Sequence, residues 1–412
     1  MSETIIRPQR AVLLWLSGAR LADIRALPIV STLIDGGATV ELDPSPITGR
    51  QSQRYQLFSG KAPASFGFFD SFAVRSYTVA EEANGRGPAP KLLPDLLRTV
   101  GWTVAYEETQ LPDLPVQLRK SAQSVAADPA CLIIKCLVNG ELNDADKAVI
   151  SGTLAAAQAW VGEHGLLAVC SDTQPVVIQR FVNINDFLAD MGVIEREEQS
   201  GQISWENSLA YFAGNGQLLI NLLGRDARGA VHPQDEAEEV SDTLVKALPN
   251  KLRDPDSGEA VIERVYRKSE LYGGDYLFCA PDLVVVFQPG YAPSPHSRSI
   301  GFDGAAFVAP EPGQQVTEGV HPSQATGFLI AKAPTLAERV TEYEHQPLTS
   351  LVPTILHALG IEYADMDSAA IGTLFSYDYL ETHPIRGRSH NQELSEEDEE
   401  LIISHLRDLG YV

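Results

Sequence analysis

The sequence predicts an α/β protein built on an open, mostly parallel sheet with helices on both faces, carrying a small α+β insertion. Three observations predict it. Short continuous apolar runs recur along the chain, as fully buried parallel strands require. Each run neighbours a stretch of helical spacing, the alternation that covers both faces of such a sheet. The texture changes between residues 200 and 280, where a charged, turn-rich stretch interrupts the pattern.

The first run, 11–16 (AVLLWL), ends at Ser-Gly and is followed by helical spacing over 21–35, closed by Gly36 and Gly37. Runs at 102–106, 131–138 and 166–170 repeat the strand pattern, and 283–287 and 328–331 are read as two further strands of the same sheet. The domain reading is an α/β core from 1–200 and 281–412, with 201–280 as the insertion. At the C-terminus, Ser395 and Asp398 pattern as a capping box and Gly410 suits the end of a helix. Ligands bind such sheets at the carboxyl ends of the strands, so Ser17, Asn139 and Asp172, which follow apolar runs, carry the most functional weight.

Bulk properties narrow the function classes. The 412 residues are 44% hydrophobic and 21% charged, which suits a soluble globular protein. A net charge of −24 disfavours nucleic acid, whose phosphates select basic surfaces. There is no run of about twenty apolar residues, so no membrane span is expected. The N-terminal text MSETIIRPQR lacks the apolar stretch of a secretory signal, and the expected location is cytoplasmic. Cys131, Cys136, Cys170 and Cys279 form no CxxC pair and are expected to be free thiols, mostly buried.

The most specific text lies between 203 and 291: AYFAGNGQLLINLLGRDARGAV, LRDPDSGEAVIERVYRKSELYGGDY and APDLVVVFQPGY. With PTILHALGI at 353–361, Met366-Asp367 and the terminal LSEEDEE…LRDLGYV, it resembles the type I phosphodiesterase/nucleotide pyrophosphatase branch of the alkaline-phosphatase superfamily over nearly the whole chain. The resemblance implies an alkaline-phosphatase-like fold and a two-metal hydrolase, in which paired cations activate a Thr or Ser nucleophile and stabilise the attacking and leaving oxygens.

Matched to the family's motifs, most of that machinery is absent. The first strand ends at Ser17 where the family has a ligand Asp, although Gly18 is kept. A hydroxyl is a poor zinc ligand beside carboxylate, imidazole or thiolate. The loop SGKAPASFG at 59–67 carries Phe66 in place of a His. Ungapped counting puts Arg50 at the nucleophile position, and a two-residue slip offers Thr48; arginine stays protonated, so Thr48 is the catalytic candidate if the chain is active. Asn139 and Asn143 stand where the family's TDxxxH has Asp and His, and the first histidine of the chain is His164, well downstream. SDHG becomes SDTQ, with Asp172 kept and Thr173 for His, while GxH is kept at His321. Asp172 and His321 are vestigial metal positions that serve different ions in the family, so no metal cofactor is expected. The structural alternative for each is a turn cap and a satisfied loop histidine. His296 and His345 read as polar-loop residues.

Three functional readings follow. The first is a phosphodiesterase-like pseudoenzyme that binds a protein partner or a small anionic ligand. The second is a hydrolase with a remodelled site using Thr48, Asp172 and His321. The third is metal-free anion or nucleotide binding, with Arg50, Arg54 and Lys61 supplying fixed positive charge in place of the ions; the bland reading of those three is ordinary surface basic residues.

Overall fold

The computed structural model describes residues 6–385 apart from 47–48, 71, 76, 82–84, 126, 139, 296–299, 303 and 317–318. The expected C-terminal helix with Ser395, Asp398 and Gly410, and the positions Thr48, Asn139 and His296, therefore lie outside the described residues.

The central sheet has seven strands: β1 (Arg10–Ser17), β2 (Ala38–Asp43), β3 (Thr103–Gln110), β4 (Ala130–Leu137), β5 (Leu166–Ser171), β6 (Gly327–Lys332) and β7 (Val340–Pro347). Their order is β7-β2-β6-β5-β1-β4-β3. β1 runs parallel to both β4 and β5, β3 runs parallel to β4, and β2 to β7. Only β6 opposes its neighbours β2 and β5. The mostly parallel sheet expected from the sequence is thus present.

β1 shows why the apolar runs are continuous. Seven of its eight residues are buried, and alternate side chains enter different cores. Ala11, Leu13 and Trp15 join one cluster with Leu57 and Phe58. Val12, Leu14 and Leu16 join another with Ile150 and Leu154. A strand covered on both faces has no polar side to expose, so alternation disappears from its sequence. At the start of β6, a Cβ on Gly327 would lie 2.2 Å from the Ser171 carbonyl oxygen, so that close strand contact requires glycine.

The insertion has its own four-stranded antiparallel sheet, in the order Ala210–Phe212, Gln217–Ile220, Leu283–Phe287, Ile262–Arg267. A helix over Asp235–Lys251 packs on it around a separate core. Leu283–Phe287 corrects the sequence reading: it is a strand of this small sheet, not of the large one. All five of its residues are buried, and a short all-buried run reads the same in either sheet. His345 is a second correction. It sits on β7, with Nδ1 2.9 Å from Asp43 Oδ1 across to β2, not in a loop.

All four cysteines are free, and Cys131, Cys136 and Cys170 are buried. Burial pushes the Cys131 thiol up to about 12, and burial with the charge of Asp146 does the same to Cys136. Cys170 is raised too, by burial first and the nearby Asp172 charge second. Since the thiolate is the reactive form, these three should remain unmodified by an aromatic disulfide reagent at pH 8 in the native protein and all react after denaturation. Rapid native labelling of any of the three, read by mass spectrometry, would contradict this.

Candidate functional site

The site lies at the carboxyl ends of β1, β4 and β5, and it is built around one carboxylate. Asp172 follows directly on β5, and its side chain is 0% exposed. Ser17, the last residue of β1, donates its hydroxyl to Asp172 Oδ2 over 3.0 Å. Arg54 Nε stands 3.6 Å from the same oxygen. Ser17, which the sequence resemblance sets at a ligand position, therefore acts as a hydrogen-bond donor to Asp172.

Arg54 reaches that position from a helix over Arg50–Ser59 that ends at Gly60 in the left-handed conformation, φ 69°. Arg50 is one turn earlier, and residues four apart share a helix face. A Cβ on Gly18 would lie 3.1 Å from Arg50 Nη2 and 2.7 Å from the Val138 carbonyl oxygen, so the Arg50 side chain extends over the strand ends. With its φ of 88°, Gly18 combines a left-handed turn with a site that has no room for a side chain. Arg20 adds a charge the sequence reading missed: its guanidinium donates to the Pro175 carbonyl at 3.3 Å and lies 3.6 Å from Glu141. The only sequence signal for it is its place two residues after Gly18.

The helix is fixed at both ends. Gly49 abuts Asp70, where a Cβ would come within 2.3 Å of Asp70 Oδ1, and its amide donates to the Phe69 carbonyl at 2.8 Å. Asp70 in turn accepts from Asn215 Nδ2 at 2.8 Å and Gln217 Nε2 at 3.1 Å, in the GNGQ turn of the insertion. The Tyr272 hydroxyl, also from the insertion, donates to the Pro46 carbonyl. Farther along the helix, Phe58 stacks on Trp15 with ring centroids 4.4 Å apart. On the other side of Trp15, the Lys135 ammonium lies 5.0 Å from the indole and 2.7 Å from Glu108 Oε1. Burial would raise the Glu108 carboxyl, but Lys135, the Tyr106 hydroxyl and the charge of Arg54 together lower it. Tyr106 is raised by burial and by Glu108.

The other expected site residues lie in different surroundings. Lys61 pairs with Asp365 and stands 4.0 Å from Asp367, whose other carboxylate oxygen accepts from the Ala62 amide at 2.7 Å. Met366-Asp367 thereby pins the SGKAP loop, and Lys61 is part of that clamp. His321 Nδ1 accepts from the Ser323 amide at 3.2 Å, capping a short turn, and Nε2 is 2.7 Å from Glu263 Oε2. A neutral ring with its proton on Nε2 satisfies both contacts. Asn143 caps the helix Asp144–Val161: its side chain accepts from the Asp146 amide at 3.0 Å, and Asp146 accepts back from the Asn143 amide at 3.1 Å. Phe66 is buried and lies 5.8 Å from the Tyr55 ring. Thr173 donates to the Ala325 carbonyl at 3.1 Å, tying the end of β5 to the segment before β6.

Among the described residues no three His, Cys, Asp or Glu side chains gather as a metal group. The retained acid has a hydroxyl and a guanidinium as neighbours, and the retained histidine is held by Ser323 and Glu263. This donor set does not fit the two-ion centre that the sequence resemblance implies.

No family model and no curated protein matches the chain by sequence. Solved structures do. Murine ectonucleotide pyrophosphatase/phosphodiesterase 5, in an inactive variant complexed with AMP, superposes with a TM-score of 0.55 at 14% identity, covering 89% of this chain and 100% of that one. The same murine protein in another structure gives 0.54 at 14% identity, with the same coverage. A multiply substituted mutant of the alkaline phosphatase PafA gives 0.54 at 10% identity, covering 91% and 100%. The fold is alkaline-phosphatase-like. Within that fold, Ser17 and Asn143 have a hydrogen-bonding and a capping role.

The cap generates a direct test. Asn143→Ala should lower unfolding stability by about 1 kcal/mol, as loss of an N-cap does, read as a shift of the urea midpoint. A mutant as stable as the parent would remove the capping role.

Proposed function

We propose that this chain is a phosphodiesterase-fold protein that binds a ligand or partner without hydrolysing phosphate esters. The observation that carries the reading is the environment of Asp172: a serine hydroxyl at 3.0 Å and an arginine at 3.6 Å. A guanidinium cannot coordinate an attacking oxygen or lower the pKa of a bound water, so it supplies charge without supplying activation. Guanidinium groups of Arg50 and Arg54 at the strand ends suit a small anionic ligand better than nucleic acid, which the net charge of −24 repels. Among the described residues no helix is long and apolar enough to cross a membrane. A cytoplasmic location, consistent with four free cysteines, belongs to the same proposal.

Two measurements test it. Because the fold does not rest on bound ions, the melting temperature should be unchanged by a strong chelator; a fall of many degrees, with stoichiometric divalent metal found by elemental analysis, would overturn the reading. Hydrolysis of generic phosphomonoesters and phosphodiesters should be absent with or without added zinc or manganese. Robust metal-dependent turnover abolished by Thr48→Ala would instead establish a working nucleophile.

A further inference from the structure

Two buried atoms at the strand ends have no hydrogen-bond partner among the described residues: Oδ1 of Asp172, an acceptor, and Nε of Arg54, a donor. They belong to one pair. The 3.6 Å from Arg54 Nε to Asp172 Oδ2 is too long for a hydrogen bond, and Ser17 serves only Oδ2. A buried donor or acceptor left unmade is costly, and native structures hold few of them. The Asp172 side chain is fully buried while that of Arg54 is 30% exposed, so the pair runs from the interior to a partly exposed guanidinium. What the pair lacks is specific: an oxygen to accept from Arg54 and an O–H to donate to Asp172.

An ionised carboxylate accepts hydrogen bonds and cannot donate. An oxyanion without a proton would meet repulsion at Oδ1 and leave that atom unsatisfied. An oxyanion carrying its own proton would satisfy both atoms at once. Resting on the reading above that the site holds a ligand without metal, we infer that the Arg54–Asp172 pair binds a protonated tetrahedral oxyanion, inorganic phosphate, and discriminates against sulfate. Near neutral pH phosphate keeps at least one proton, while sulfate keeps none. A phosphodiester lacks the proton and a monoester, with a second pKa of about 6, has largely lost it, so both fall with sulfate on the rejected side. Arg50, with Nη2 beside Gly18, brings a second guanidinium to the same strand ends.

The test is calorimetric titration of the full chain in chelator at matched ionic strength, with inorganic phosphate, sulfate, dimethyl phosphate and AMP as separate ligands. Phosphate should bind saturably, and sulfate and dimethyl phosphate at least about tenfold more weakly, the cost of one unsatisfied buried acceptor. Asp172→Asn, whose amide can donate, should bring sulfate up to phosphate, and Arg54→Gln should weaken both. AMP, which has largely lost its second proton above about pH 7, should bind more weakly than phosphate, and tighter AMP binding would overturn the inference. Equal binding of sulfate and phosphate by the unsubstituted chain, or no phosphate binding, overturns the inference. That comparison needs no variant, so it stands even where a variant fails to fold. Metal-dependent turnover, measured separately, would refute the non-hydrolytic reading alone; loss of discrimination without turnover would refute this site alone.

Discussion

A carboxylate buried at the end of a central strand must be given a counter-charge, and much of the site follows from how this chain supplies it. Asp172 has no exposed surface. An unpaired charge there would cost several kcal/mol, and removing one partner of a buried pair costs roughly 3–5 kcal/mol. The Arg54 guanidinium, assisted by the Ser17 hydroxyl, takes that role. Ser17, Arg54 and Asp172 are therefore coupled: an acid at residue 17 would bring a second buried carboxylate against the first, and a neutral residue at 54 would leave Asp172 without its counter-charge. The pair is incomplete all the same, since one atom on each side has no hydrogen-bond partner among the described residues.

Holding Arg54 in place calls on parts of the chain far apart in sequence. The Arg50–Ser59 helix begins at Gly49, against Asp70, and Asp70 is held by Asn215 and Gln217 of the insertion. Tyr272 binds the Pro46 carbonyl just upstream, and the stacking of Phe58 on Trp15 fixes the helix against β1. The insertion thus acts as a brace for the loop and helix that carry the arginines. This gives the GNGQ turn a structural role that does not depend on catalysis. Met366-Asp367 plays a similar part for the next loop through Ala62 and Lys61.

Several residues that the sequence resemblance sets at functional positions have ordinary structural duties. Asn143 caps a helix, Thr173 ties two segments, Phe66 fills a core, and His321 caps a turn while pairing with Glu263. Each role satisfies a local backbone or packing demand.

The sheet class and most of its strands are legible in the amino-acid sequence, because they depend on residue type and on periods of two and 3.6 that are local along the chain. The four-residue spacing of Arg50 and Arg54 likewise suffices to put both on one face wherever that segment is helical. Which sheet Leu283–Phe287 joins is not legible, since a fully buried run carries no mark of its neighbours. Nor do residue type and period separate Lys61 from the two arginines, reveal Arg20, or place His345 on a strand. Those outcomes rest on partners far away along the chain: Asp365 for Lys61, Pro175 for Arg20, Asp43 for His345. Whether a charged side chain serves a site or a clamp is decided by the nearest opposite charge in space, and only the tertiary structure brings that charge within reach.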